Sequence, residues 1–230
     1  MAGTGTARIF LLSSIPMNVT VFGATGAIGS RTVAGLVERG HTVTAYARNR
    51  AKIPKHTWGA RVRVVIGQMP DANAIGSAVA GAGAVVSALG PSLDRKATGL
   101  PLAGGTRHIL EAMKRHGVRR YAGNGTPSVP DQRDRPNWQA KVSTFRAETF
   151  LRPACHELAG MSEIVTSSGP DWTIVRFLAP NDGPATGQVR QGFSGRDSLG
   201  FNVTRADIAA FTAAQVDDER YVGAAPAISN

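Results

Sequence analysis

Three glycines and a basic run behind them carry the chemistry open to this sequence. Gly23, Gly26 and Gly29 are spaced three residues apart in VTVFGATGAIGS, Val19 to Ser30. Val19, Val21 and Phe22 before them suit a strand buried on both faces. Gly23 then permits a sharp turn, Gly26 lets a backbone approach a pyrophosphate, and Gly29 lets a new helix pack close to the strand. Backbone N–H groups at the start of that helix, with its dipole, attract phosphates. The spacing alone is a weak signal, but its place between a strand pattern and a helical pattern is the context the motif requires. About 20 residues further on, an NAD-binding chain places an acid for the ribose hydroxyls. This sequence has Arg48, Asn49, Arg50 and Lys52 there instead. Arg48 offers a planar fork for a phosphate and Arg50 adds charge, so the expected cofactor is NADP, bound as NADPH.

The elements that position these residues alternate between two periods. Ile28 to Arg39 reads as an amphipathic helix closed by Gly40, and His41 to Ala47 as a strand entered at a turn histidine. Val62 to Gly67 is a third strand. Gln68 and Met69 follow it, with side chains expected to flank an adenine ring. Asp71 is the expected N-cap of a helix to Ala80. Ala84 to Ala88 is a fourth strand, after which Leu89, Gly90 and Pro91 turn over the carboxyl end of the sheet, where ligands of this architecture bind. A helix from Gly104 to His116 and a strand from Val118 to Gly123 come next. Asn124 and Thr126 are then expected to face the cofactor, within reach of a substrate carbonyl. A helical stretch runs from Trp138 to Thr166, interrupted by Pro153, and Asp171 to Arg176 is a sixth strand. Phe177 to Gly187 is a loop of the right length to cover a pocket. Thr204 is the expected N-cap of a helix over Ala206 to Val216, and Tyr221 to Ile228 a last extended segment. Strands alternating with helices predict an α/β fold: a doubly wound, mostly parallel sheet with helices on both faces.

The bounds agree with one globular unit. The 230 residues suit a single domain, expected over residues 17–230, with 1–16 as a leader or flexible tail and Met17 as an alternative start. No apolar run approaches the ~18 residues of a membrane span, so no membrane partner is expected. Cys155, the single cysteine, fits a reducing compartment, and a cytoplasmic location is the default. No metal site is expected. The net charge of +10 comes from scattered Lys and Arg rather than from a block interleaved with aromatics. It is therefore assigned to attraction of a polyanionic cofactor and to general solubility, and not to nucleic acid.

The GATGAIGS turn, the SGPDWTIVR segment and the TRADIAAF segment together resemble the atypical short-chain dehydrogenase/reductases. Within them the chain is similar to the NAD(P)H-binding group that includes biliverdin reductase B-like flavin reductases and NmrA-like proteins. The likeness covers nearly everything from Met17 to Asn230. It implies a single-domain Rossmann fold with a seven-strand-type sheet. It also implies NADP held by Gly23, Thr25, Gly26, Ala27, Ile28, Gly29 and Arg48, with Ala88, Leu89 and Gly90 along the cofactor and Leu178 and Ala179 near the nicotinamide.

One departure bears on mechanism. Reductases of the wider superfamily use a Tyr-x-x-x-Lys pair to protonate an alkoxide, and none of Tyr46, Tyr121 and Tyr221 has a Lys four residues on. The biliverdin reductase B-like group also lacks the pair. It has a Ser or Thr after the fifth strand and a His about three helical turns before the Ser-Gly. Thr126 matches the first position. An ungapped count puts Leu158 at the second, two residues after His156, and two residues turn a helical side chain by roughly 200°. His156 is thus the catalytic candidate beside Thr126 if the segment contains an insertion. The expected activity is an NADPH-dependent reductase passing hydride to a small conjugated acceptor of flavin or quinone type, working as a monomer or small homo-oligomer. The alternative is a catalytically silent NADP-binding sensor of the NmrA-like kind. A sugar-nucleotide epimerase or dehydratase is a third reading, set back by the short chain and the missing Tyr-Lys pair.

Overall fold

The computed structural model describes residues 15–53, 58–90, 101–135 and 157–230. The first strand, β1 (Asn18–Phe22), leads through the glycine turn into α1 (Gly29–Glu38). Then come β2 (Thr42–Ala47), a single 3₁₀ turn (Arg50–Lys52), β3 (Val62–Ile66), α2 (Ala72–Val79) and β4 (Ala84–Ser87). They are followed by α3 (Pro101–Arg115), β5 (Arg120–Gly125), and α4, of which 157–167 are described. The rest of the chain adds β6 (Asp171–Phe177), β7 (Pro180–Asn181), β8 (Arg190–Gly192), β9 (Val203–Thr204), α5 (Arg205–Ala214) and β10 (Ala227–Ser229).

Eight strands form one sheet in the order β3-β2-β1-β4-β5-β6-β10-β8. Every pairing is parallel except that of β8 with β10. The seven-strand expectation is therefore corrected to eight: β8 adds an antiparallel edge. A separate two-stranded ribbon joins β7 to β9.

The core lies on both faces of the sheet, as the apolar strands require. Val19 and Val21 of β1 meet Val33 and Leu36 of α1 and Ala213 of α5 on one face. Phe22 of the same strand turns the other way, toward Ile75 of α2 and Ile109 and Met113 of α3. Leu36 and Ile109 are fully buried, and burial of one such side chain contributes about 1.5–3 kcal/mol. Thr20, also inside, satisfies its hydroxyl by donating to the Ala78 carbonyl, 2.6 Å away.

Polar clamps secure the amino end of the sheet. His41, at the turn between α1 and β2, is fully buried. Its Nδ1 accepts from the Met17 N–H (3.4 Å), so its Nε2 is the nitrogen left to donate to Asp217 (3.3 Å), which Arg39 also binds. Arg120 donates to the carbonyls of Gln215 and Asp171 and to the Thr173 hydroxyl, covering the carboxyl end of α5. These groups hold the end of the molecule opposite the glycine turn.

Candidate cofactor and active site

The candidate residues follow the carboxyl ends of successive parallel strands. Gly23 comes after β1, Arg48 after β2, Gln68 after β3, Ala88 after β4, Thr126 after β5 and Leu178 after β6. Register brings them side by side: Phe22 pairs with Tyr46 and with Ser87, Ala47 with Ile66, Ser87 with Gly123, and Gly125 with Arg176. The chain runs outward from β1 in one direction and from β4 in the other. The crevice above β1 and β4 is thus the switch point at which such sheets bind ligands.

The glycine turn is built as a cradle. Gly23 has φ +74°, and a Cβ there would lie 2.7 Å from the Ala88 carbonyl oxygen and 2.9 Å from the Leu89 nitrogen. A Cβ on Gly29 would run into the Gly23 carbonyl. Both obstacles are backbone, so neither can swing aside. The Gly26 N–H closes the turn on the Gly23 carbonyl at 3.0 Å, while Gly26 and Ala27 face solvent. Among the described residues the N–H groups of Thr25, Ala27 and Ile28 donate to no backbone carbonyl. Unpaired first-turn donors at a helix N-terminus are the groups a phosphate binds, so this turn fits a dinucleotide's pyrophosphate.

Arg48 and Arg50 are exposed at the end of β2. Asn49 fixes the turn between them, accepting from the Ala51 N–H at 2.8 Å. No acid stands in that turn. After β3, the Gln68 side chain is exposed and its carbonyl accepts from the Tyr46 hydroxyl at 2.8 Å. Met69 is placed differently from the expectation for its side chain. It is only 6% exposed and packs against Gly105 of α3. His108 donates from Nδ1 to the Met69 carbonyl (3.2 Å), which pins the residue inward. Gly67, where a side chain would strike Tyr46 and Ala74, completes the close packing of this turn.

Thr126 is half-buried beyond β5, its Oγ1 2.6 Å from the Ser128 hydroxyl. Asn124, by contrast, is occupied: its Oδ1 accepts from Thr212 of α5 at 2.9 Å. His156 lies outside the described residues, as does Cys155. Leu178 is half-buried, and Ala179 adopts φ +42°. Left-handed backbone at an alanine costs about 1–3 kcal/mol and gathers at functional segments.

Burial makes the tyrosines weaker acids than an exposed phenol. Burial pushes the Tyr46 hydroxyl up to about 12, with the Asp71 charge adding to the effect. Burial likewise raises Tyr121 to about 12 and raises Tyr221.

Two clusters at this end were not read from the sequence. Arg176, only 1% exposed, makes a fork to Asp134 (2.6 and 2.8 Å) and donates to the Val129 carbonyl. Asp134 in turn accepts from the Ser194 N–H at 2.8 Å. Burial opposes its charge, but the Arg176 hydrogen bonds and charge, with the Ser194 and Asp131 N–H groups, hold its pKa below the usual carboxylate range. The second cluster is at Asp207, which accepts from the Thr186 N–H and hydroxyl, the Gly187 N–H, the Thr204 hydroxyl and the Asn230 amide. An arginine inside the apolar DWTIVRF strand, and an acid three residues after a threonine cap, were the available signals.

A sequence model of NAD(P)H-binding proteins matches residues 23–219. The chain belongs to this NAD(P)H-binding family. The match fits the atypical short-chain dehydrogenase/reductases and takes in the glycine turn, Arg48 and Asp207. The NAD(P)H-binding chain is 30% identical over 201 aligned residues to a 3-diazoavenalumate denitrifying reductase of a Streptomyces species. That match covers 76% of this chain and 60% of the relative, so the chain spans less than two thirds of that protein's length. Among solved structures it resembles a short-chain dehydrogenase/reductase of Veillonella parvula in complex with NADP, with TM-score 0.74, 17% identity, and coverage of 94% of this chain and 95% of that one. It also resembles the anaerobilin reductase ChuY of Escherichia coli O157:H7, with TM-score 0.74, 21% identity, and coverage of 92% and 96%. At such identities these likenesses establish the Rossmann fold. No described helix is long and apolar enough to cross a membrane.

Proposed function

We propose that this protein is an NADPH-dependent reductase that acts on a small, flat, conjugated acceptor of flavin or quinone type. The observation that carries the reading is the pairing of a glycine cradle after β1 with two exposed arginines, and no acid, after β2. The first holds the pyrophosphate through backbone N–H groups. The second receives the 2′-phosphate on the Arg48 fork, with Arg50 adding charge. Ala88, Leu89 and Gly90 run along the dinucleotide, and Leu178 and Ala179 shape the wall at its nicotinamide end. When bound, NADPH supplies the hydride; the chain supplies orientation and exclusion of water.

The state of the tyrosines supports the choice of acceptor. All three are shifted toward the protonated form by burial, and none has a lysine four residues on. A conjugated acceptor spreads incoming charge over its rings and needs little proton assistance. Thr126, backed by Ser128, is the hydroxyl we assign to an acceptor oxygen, with His156 as a second candidate. The name of the curated relative, a denitrifying reductase, weighs against a silent sensor.

Arg48→Ala is expected to weaken NADPH binding about tenfold or more, the loss of a charge-assisted hydrogen bond, and to leave NADH binding nearly unchanged. Fluorescence titration with the two cofactors reads this directly. Equal losses for both would remove Arg48 from the 2′-phosphate. NADPH oxidation with riboflavin derivatives and small quinones tests the acceptor class. Tight NADPH binding without turnover on any of them would overturn the reductase reading.

A further inference from the structure

A third basic residue, Arg31, stands at the glycine turn itself. Arg31, in the first turn of α1, folds back along its helix. Its guanidinium donates to the Ala27 carbonyl at 2.6 Å. Ala27 is the exposed residue between Gly26 and Ile28, so the guanidinium is anchored beside the cradle itself. Its other terminal nitrogen lies 3.9 Å from the Asp182 carboxylate, too far for a hydrogen bond. The opposite oxygen of Asp182 is held at 2.8 Å by Arg205, the first residue of α5. Asp182 belongs to the segment that follows β6 and β7. Its backbone is set by Asn181, whose Oδ1 accepts from the Gly183 N–H at 2.9 Å. One acid thus sits between two guanidiniums, each near the positive end of a helix.

Three physical points decide what this arrangement does. The Asp182 side chain is 69% exposed and that of Arg31 44%, and exposed pairs contribute little to stability. The contact is therefore easily exchanged. The Arg31 anchor to Ala27 does not depend on Asp182, so the cation keeps its place when the acid leaves. Finally, a pyrophosphate held by the N–H groups of the turn would compete with the Asp182 carboxylate for the same guanidinium, since two anions beside each other are unfavourable.

We propose that Arg31 binds the pyrophosphate of the dinucleotide and that Asp182 is the internal anion which the pyrophosphate displaces from it. Arg205 retains Asp182 after the exchange, so the segment over β6 stays attached to α5 while letting go of α1. The role differs from that of Arg48: a pyrophosphate contact serves NADPH and NADH alike, and Asp182 lowers the affinity for both. The inference rests on the reading that a dinucleotide occupies the turn.

The test is a set of affinities for NADPH and NADH, read by cofactor fluorescence on the full chain, with thermal midpoints measured alongside. Arg31→Ala is expected to weaken both cofactors by the same factor, about five- to tenfold. Asp182→Asn is expected to tighten both about two- to fivefold, the scale of one charge at a helix N-terminus. The gain disappears when Asp182→Asn is placed on Arg31→Ala. Arg31→Gln, which keeps the stem, serves in place of Arg31→Ala if that variant melts early. Loss of NADPH binding alone, no change on Arg31→Ala, a weakening by Asp182→Asn, or a gain that survives without Arg31 each overturns the proposal. If the unaltered protein binds neither cofactor, both this inference and the functional reading fall; if it binds NADPH and these variants fail, only the inference does.

Discussion

Gly29 shows how one missing methyl group sets a site. Its Cβ position is taken by the Gly23 carbonyl, so any side chain there pushes α1 off the strand that aims it. Gly29→Ala is expected to abolish measurable dinucleotide binding in a titration and to lower the thermal midpoint, since overpacking against backbone costs about 1–3 kcal/mol. Normal binding by that variant would show that the turn has slack to open. At this scale the sequence was most legible where a residue type has one physical use. The glycine turn, Asp71 and Thr204 fall into that class: both caps form, accepting from the Ala74 and Asp207 N–H groups. It was least legible where a flexible side chain had two destinations. Met69 went inward because Gly105 leaves room for it, and Asn124 found Thr212. His41, read only as a turn residue, is buried because Asp217, 176 residues along the chain, accepts from it and from Arg39. Such partners lie far along the chain and leave no local pattern.

The pair of Arg176 and Asp134 belongs to the scale of elements, because it staples three of them. It joins β6 to the segment after β5 and, through Ser194, to the turn after β8. Asp134→Asn leaves a buried guanidinium without its counter-charge, at a cost of about 3 kcal/mol or more, or roughly 10 °C in thermal midpoint. Replacing both partners, Arg176→Met with Asp134→Leu, is expected to recover part of that loss, since an apolar pair has no charge to strand. The pair also sets a pH dependence. A carboxyl held below its ordinary range contributes fully above about pH 4 and loses its contribution as pH falls through its folded value. Stability therefore drops in acid, and Asp134→Asn flattens that drop; a chemical-denaturation series across pH 2–7 measures both. The long elements were legible from period alone: β1, α1, β2, β3, α2, β4 and β6 lie within a residue or two of expectation. The short ones, β7, β8 and β9, were missed, because two or three residues carry no period. β8 forms because β10 offers it an edge, and β7 and β9 because each pairs with the other.

At the scale of the whole molecule, the net charge of +10 acts on a dinucleotide before any contact is made. Summed positive potential speeds the approach of an anion, and salt screens it beyond about 8–10 Å. Raising NaCl from about 50 to 500 mM is expected to slow NADPH association several-fold in stopped-flow fluorescence. An unchanged rate would confine the attraction to the arginines in direct contact. The doubly wound layout was open to inspection in the sequence because each strand–helix unit announces itself; the eighth strand was not. That strand has one more effect. An open sheet ends in two rows of unpaired amides and carbonyls, a template on which a foreign strand can grow. Here one margin is β3, with exposed Arg61 and Arg63, and the other is β8, three residues long, reversed in direction and carrying exposed Arg190. A copy that offered its own β8 would meet cation with cation on a run of three residues, and one that offered its β3 would bring Arg63 to Arg63. The basic residues that favour the approach of a nucleotide thus disfavour the pairing of one sheet margin with another.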